Sequence, residues 1–313
     1  MISINCYDKT KAEEWNQFVN SSRAPMFMFN RGFMEYHKDR FCDASLMVYD
    51  DDKLVAILPA SQHGSEVRTH GGLTYGGILY GEKMKQQTML DCFSAIIQYY
   101  KDQGITSIIY KSIPYIYNTY PTQEDLYALY RHGAQLLKTE PSSTLLLASP
   151  FKMPKGRKAQ ISRARRGGVV ITESKDFQAF ITLENEVLLQ HHNVKAVHTA
   201  DELQLLHNRF PENIRCYMAK NSKGHLIAAA LLFIYPHVIH TQYLASNDEG
   251  RTIGALDLLI SEIMQKYKET HTYLDFGIST EDMGKKLNNG LILQKEGFGA
   301  RTCVYQTWII NID

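Results

Sequence analysis

Hydrophobic and polar positions along this chain switch between two periods, and the order of the switches occurs twice. Residues 9–22, KTKAEEWNQFVNSS, set Trp15 and Phe18 three apart among polar neighbours, the spacing of a surface helix. Residues 43–60, DASLMVYDDDKLVAILPA, predict two strands around an acidic turn at Asp50, Asp51 and Asp52. The pattern turns helical from Glu82 to Gln103, and ITSIIY at 105–110 reads as a buried strand. In the second half, residues 214–235 again predict strand, turn and strand. HVIHTQYLAS at 237–246 adds a strand, residues 252–269 a helix, and HTYLDFG at 271–277 a strand.

At a single offset Ser94, Ile96, Gln98, Tyr100 and Lys101 match Ser261, Ile263, Gln265, Tyr267 and Lys268. With the shared element order this reads as an internal duplication. The expectation is an α+β chain of two tandem domains, residues 1–150 and 151–313, each with a mixed, mostly antiparallel sheet flanked by helices. Between them lies KGRKAQISRARRGGVVI, residues 155–171, with six basic residues in its first twelve. Its period is helical, with Ile161 and Ala164 facing inward and Arg157, Arg163, Arg165 and Arg166 outward. Gly167 and Gly168 stop it, and a strand follows.

The totals narrow the function classes. Net charge is +1 over 313 residues, so the basic segment is local and a general nucleic-acid-binding field is absent. The five cysteines are scattered, odd in number and without a CxxC, which speaks against a disulfide framework or zinc site and for a reducing compartment. The start MISINCYDKT reads as a strand rather than a signal peptide, and no apolar run reaches the roughly 18–20 residues of a membrane span. The expected location is the cytoplasm. The twelve histidines show no metal-ligating arrangement, so no metal is expected.

The basic RKAQISRARRGGVVI entering a strand, then YLAS, LDFGIS and KLNNGLILQKEGFGAR, resembles the second half of the Fem-like branch of the GNAT acyltransferase superfamily. THGGLTYGG and PYIYNTYPTQEDLYALYRHGA, in the first half, are similar to other bacterial members. The resemblance implies two GNAT-like domains and an N-acyltransferase activity. The donor would be acyl-CoA, such as acetyl-CoA, bound as a co-substrate. The acceptor would be a small-molecule amine, an amino sugar or other cell-envelope precursor, with a nucleotide-linked sugar as one form. Fem transferases instead use aminoacyl-tRNA, and that is the alternative donor. A catalytically silent ligand-binding protein of the same fold is the third reading. The resemblance also makes Lys295 a candidate for stabilising charge during acyl transfer, since it matches the lysine of a Phe-Lys-x-x-Phe segment. Gln294 stands where that segment has its first phenylalanine.

Acyl transfer to an amine requires a neutral amine, a stabilised oxyanion and a donor held in register. Acyl-CoA enzymes of this superfamily hold pyrophosphate on amides at a helix start, with the signature Gln/Arg-x-x-Gly-x-Gly/Ala. Here Arg251, Thr252, Gly254 and Ala255 are the cofactor-binding candidates, with Leu256 at the last small position and Asp248 and Glu249 nearby. The plainer reading is an ordinary helix start with acidic residues on its dipole. Asp275, Tyr243 and His240 are proton-transfer candidates. Asp275 sits in an apolar strand, where an unpaired carboxylate is expensive. Regular alternation puts Thr241 and Tyr243 on one face of their strand, with His240 and Gln242 on the other. Arg157, Arg163 and Arg166 are candidates for a phosphorylated substrate. His70, Tyr75 and Tyr115 are the substrate-binding candidates of the first half, where packing is the plainer reading of the aromatics.

Overall fold

The structure is a computed structural model that describes residues 1–149 and 151–312, with nothing described of the side chains of His191 and His192. In chain order, the first part holds β1 (Ile2–Cys6), α1 (Ala12–Ser21), α2 (Arg31–Met34), β2 (Cys42–Asp43), β3 (Leu46–Asp50), β4 (Lys53–Leu58), β5 (Ser61–His63), β6 (Glu66–Arg68), β7 (Leu79–Tyr80), α3 (Gln86–Asp102), β8 (Ser107–Lys111), α4 (Glu124–Arg131) and β9 (Gln135–Leu146). It continues with α5 (Lys155–Arg166), β10 (Val170–Ser174), α6 (Phe177–His192), α7 (Ala200–Arg209), β11 (Ile214–Lys220), β12 (Leu226–Ile234) and β13 (Val238–Ser246). The last elements are α8 (Asp248–Ile253), α9 (Ala255–Tyr267), β14 (Tyr273–Ile278), β15 (Thr280–Glu281), β16 (Lys286–Leu287), α10 (Asn289–Glu296) and β17 (Arg301–Asn311).

Two compact units are present. Unit 1 holds Met1–Pro141, Thr280–Lys286 and Cys303–Asp313, and unit 2 holds Ser142–Ser279 and Leu287–Thr302. The sequence suggests a linear cut after residue 150, but these units are not linear segments. The chain leaves unit 1 within β9 and returns to it twice, the second time along β17.

In unit 1, β1, β3, β4 and β7 form one antiparallel sheet, and β17, β8, β6, β5 and β2 follow one another in a second. Helix α3 buries Met89, Cys92, Phe93, Ile96 and Tyr100, the single stripe its helical spacing dictates. That stripe packs with Leu46, Val48, Ala56 and Ile108 as the unit's core.

In unit 2 the strand order is β10, β11, β12, β13, β14 and the end of β9. All neighbours are antiparallel except β13 and β14, which run parallel. Strand β12 is apolar throughout and buried except at its first residue, because helices cover both of its faces. Ala230, Leu232 and Ile234 pack with Leu259, Ile260 and Ile263 of α9. The alternate residues, Leu231 and Phe233, point to the side of α6. Helix α5 forms where the basic segment predicts it, with Ile161 and Ala164 buried against Ala255 and Leu258.

The predicted single helix over 252–269 is instead two, α8 and α9, joined at Gly254 with φ +82°. This left-handed residue favours glycine. A Cβ there would lie 2.7 Å from the carbonyl oxygen of Gln160 on α5, so the joint is closed by packing as well as by backbone conformation.

Candidate functional site

The chemistry-bearing residues of unit 2 converge where β13 and β14 part. These strands share three register pairs, Val238 with Tyr273, Ile239 with Leu274 and His240 with Asp275. Beyond His240, β13 runs on to Ser246 with no register partner on β14. Beyond Asp275, β14 takes up one extra residue against β9, and Gly277 adopts φ +75°. The strands therefore separate from a point occupied by two buried polar side chains.

Asp275 is fully buried. It accepts from Ser142 Oγ at 2.5 Å and Thr144 Oγ1 at 3.2 Å, both on β9, and from the Gly277 amide at 3.3 Å. Its other oxygen lies 3.2 Å from His240 Nδ1. The expense of a carboxylate in an apolar strand is thus offset by four partners.

Lys295 on α10 is also buried, and its ammonium donates to the carbonyls of Gly277 at 2.9 Å and Ile278 at 2.8 Å and to Ser279 Oγ at 3.0 Å. All three of its N–H bonds are engaged, so the ammonium pins the bend of β14. Burial pushes its pKa down to about 8, with the Asp275 charge opposing the shift.

Tyr243 shares a face with His240, contrary to the regular alternation expected from the sequence. Leu231 pairs with Tyr243 and Leu232 with Thr241, which leaves Gln242 as a β-bulge. One extra residue reverses the facing of everything beyond it. Tyr243 and His240 pair with Leu231 and Phe233, the α6 side of β12. There Tyr243 Oη lies 2.7 Å from His198 Nδ1 and its ring centroid 6.1 Å from that of Phe180. Burial first, and then the charge of Glu184, push the Tyr243 hydroxyl pKa up to about 12.

Glu184 itself was not among the residues singled out from sequence, although a signal existed. It falls on the stripe Phe177, Phe180, Ile181, Glu184 of α6, a carboxylate at an apolar position. It is 5% exposed, and its Oε2 has no hydrogen-bond partner among the described residues. Burial alone raises its pKa to about 7.

The stretch expected to hold phosphate, 251–255, comprises the end of α8, the joint at Gly254 and the start of α9. The Arg251 and Gly254 amides donate to Asn247 and Gly250 carbonyls in a closed helical turn, and the Thr252 hydroxyl bonds the Asp248 carbonyl. Ala255 is fully buried. The Arg251 guanidinium is engaged by the Ser246 carbonyl at 2.6 Å and by Asp248. Asn247 caps the Gly250 amide at 2.9 Å, and Asp248 and Glu249 occupy the first turn. The Arg251 and Gly254 amides are thus spent in α8, and the carboxylates of Asp248 and Glu249 at its start oppose an anion there.

The α5 arginines separate into two kinds. Arg157 faces inward rather than outward. It pairs with Asp257, donates to the Gln294 carbonyl at 2.8 Å and stacks 4.1 Å over the Phe298 ring, tying α5 to α9 and α10. Arg163 and Arg166 are exposed, and Arg163 donates to the Thr252 carbonyl at 3.0 Å.

His70, Tyr75 and Tyr115 belong to unit 1. His70 is buried, its pKa lowered to about 3 by burial and then by His37, and its Nδ1 accepts from the Gly72 amide at 3.2 Å. Tyr75 is core, its ring centroid 4.8 Å from that of Tyr117 and 5.4 Å from that of Tyr305. Tyr115 is exposed. Among the described residues no group of histidine, cysteine and carboxylate side chains could hold a metal ion. No helix there is long and apolar enough to cross a membrane.

A mixed sheet whose middle strands run parallel and then part, covered by helices on both faces, defines the class. It is the GNAT fold. Residues 155–283 match the family described as an acetyltransferase (GNAT) domain, and all but the last four of them lie in unit 2.

Solved structures agree on the fold over nearly the whole chain. The crystal structure of FemX is 11% identical with a TM-score of 0.68, covering 97% of this chain and 96% of that one. The C-terminal domain of a putative lysylphosphatidylglycerol synthetase from Agrobacterium fabrum is 13% identical, TM-score 0.67, with 96% and 92% covered. A tandem GNAT protein from the clavulanic acid biosynthesis pathway is 11% identical, TM-score 0.59, covering 100% and 99%. No curated protein matches the chain by sequence.

Proposed function

We propose that this chain is an acyltransferase that moves an activated acyl group onto an amine, with the chemistry in unit 2 where β13 and β14 part. The observation that carries the reading is that parting, with His240 and Asp275 at its base and Lys295 holding the bend. Past His240, β13 has no register partner on β14 among the described residues, and backbone N–H groups on that edge would serve a carbonyl oxygen that becomes an oxyanion. Asp275 and its hydroxyl partners hold His240 at the base of the cleft. Lys295 fixes the opposite wall and places a positive charge behind it. That charge favours the oxyanion through space, since its hydrogen bonds are taken.

For the donor, the helical closure of 248–254 disfavours acyl-CoA at the position where the superfamily holds pyrophosphate. It favours the aminoacyl-tRNA donor of the Fem-like resemblance, with the exposed cations of α5 as phosphate contacts. The match to an acetyltransferase family supports acyl-CoA, which would then need its diphosphate elsewhere. The acceptor, an amine of a cell-envelope precursor, rests on the resemblance.

The test pairs thermal shifts in CoA and acetyl-CoA with binding of aminoacyl-tRNA across a salt series. The expected result is no shift with either thioester compound at millimolar concentration, and tRNA binding that weakens steeply with salt. Charge reversal at Arg163 and Arg166 should flatten the salt dependence. A CoA shift without tRNA binding would replace the donor assignment. Purified protein that transfers no acyl group from either donor would overturn the enzyme reading.

A further inference from the structure

A second concavity in unit 2 lies away from the parting of β13 and β14, at the outer edge of the sheet. Strand β10 ends the strand order, and among the described residues only β11 pairs with it. Val169, Ile171 and Glu173 alternate onto one face there, and Tyr217 of β11 is the register partner of Glu173 on that face. Helix α9 meets them with Leu258, Glu262 and Lys266 along one stripe and Ile263 beside it. With Arg165 at the end of α5 these residues enclose a trough of about 430 Å³. Small-molecule sites occupy roughly 300–1,000 Å³, so the trough is large enough to be one. Its lining residues are separate from those of the parting, and β12 stands between β11 and β13.

The floor of the trough is apolar and its mouth is charged. Val169, Tyr217, Leu258 and Ile263 form the floor with Ile171, and Arg165, Glu262, Lys266 and Glu173 stand exposed around the mouth. Glu262 and Lys266 have the order that favours an ion pair one helical turn apart, acid first. They do not form it among the described residues. Glu262 reaches instead to Arg165 on α5 at 2.7 Å, and Lys266 to Glu173 on β10 at 3.1 Å. The two pairs therefore bracket the floor. Exposed pairs of this kind are worth at most about 1 kcal/mol, so a ligand can open them at small cost. Glu173 also keeps Arg215 at 2.8 Å, so Lys266 can leave it without stranding a charge. The four charges at the mouth sum to zero, which gives neither a simple anion nor a simple cation an advantage. An uncharged apolar molecule would part the pairs without replacing them. A molecule with both charges beside an apolar group replaces them and covers the floor as well.

We propose that this trough binds an apolar α-amino acid as its zwitterion. The ammonium pairs with Glu262 and the carboxylate with Lys266, and the side chain lies on Ile171, Leu258, Ile263 and the Tyr217 ring. Glu262 and Lys266 are one turn apart on the same face of α9, a separation that suits charges carried on neighbouring atoms of one small molecule. The occupant touches the edge strand β10 and the helix α9 together, so it ties the end of the sheet to that helix. The site is independent of the acyl-transfer reading and uses none of the residues assigned to it.

The probes are L-leucine and L-phenylalanine, and each control removes one feature of leucine. Glycine lacks the apolar side chain, 4-methylpentanoate the ammonium and isoamylamine the carboxylate. Binding to the full chain at neutral pH is read by thermal shift and by chemical-shift mapping of labelled isoleucine methyl groups. At least one amino acid should bind and move the signals of Ile171 and Ile263, with every control weaker by about tenfold or more. Glu262→Gln and Lys266→Gln, both at exposed positions, should each weaken that binding by about fivefold or more. Circular dichroism checks that both variants are folded. Binding of neither amino acid at about 10 mM would overturn the proposal. So would a control that binds as tightly as the amino acids, or binding left unchanged in either variant. Signals that move only at Ile239 and Ile278, beside the parting, would place the amino acid in the acyl-transfer cleft and overturn it as well.

Discussion

His240 Nδ1 lies 3.2 Å from Asp275 Oδ2 across the last register pair that β13 and β14 share. The contact ties two strands at the point where they begin to separate, so one carboxylate supports both the local fold and the base of the candidate cleft. Ser142 and Thr144 bring β9 into the same arrangement.

Asp275→Ala should therefore lower stability by about 3 kcal/mol, since it strands buried hydroxyl and imidazole groups. Asp275→Asn keeps the shape and part of the hydrogen bonding and should lose about half as much. Urea unfolding of the three proteins gives the comparison. A loss below about 0.5 kcal/mol for the alanine variant would show that Asp275 does not hold the strands together.

Gly254→Ala should destabilise by about 2 kcal/mol or more. The left-handed φ of +82° strains any residue with a Cβ, and that Cβ would meet the backbone oxygen of Gln160 at 2.7 Å. Gly224 has a similar φ of +83° with nothing within 4 Å of its Cβ, so Gly224→Ala isolates the strain from the clash. Comparing their denaturation midpoints separates the two effects. Equal losses would mean that α5 does not close over the joint.

Glu184 gives a stability signature that needs no ligand. Its folded pKa of about 7 lies above the ordinary 4.5, so between those values the folded chain keeps a proton that the unfolded chain has released. Stability contributed by this group is present at low pH and falls as pH rises through that window. Glu184→Gln has no such loss. It should match wild type near pH 4 and exceed it at pH 8, by an amount on the order of 3 kcal/mol. Parallel stability curves would mean that the carboxylate is solvated.

Much of this was legible because periodicity reports burial directly. Ile161 and Ala164 of α5 face inward as their spacing requires, and the strand–helix order of the second half appears as predicted. What escaped depends on single residues that periodicity cannot weigh. Gln242 is one residue too many in β13, and that one insertion moves Tyr243 to the face of His240. Gly254 stands in the phosphate-loop signature by sequence, but its place as a joint between two helices, with α5 packed over it, cannot be read from that signature. The return of the chain to unit 1 along β17, which pairs with β8, is a long-range pairing that a linear reading cannot contain. Arg157 resembles its neighbours in sequence, and only its position opposite Asp257 and Phe298 makes it internal.

Lys295 links stability and the proposed chemistry in one measurable window. Its folded pKa of about 8 is below the ordinary 10.5, so between those values the unfolded chain holds a proton that the folded chain has lost. Stability relative to Lys295→Met should therefore rise with pH across that window, by an amount on the order of 3 kcal/mol. Acyl transfer that uses the ammonium should do the opposite and decline above about pH 8, as the charge behind the cleft wall is lost. Lys295→Ala should lower turnover more than donor binding, because the charge acts on the oxyanion and not on the donor. Equal loss of turnover and binding, with no change in pH profile, would confine Lys295 to holding the bend of β14 through Gly277, Ile278 and Ser279.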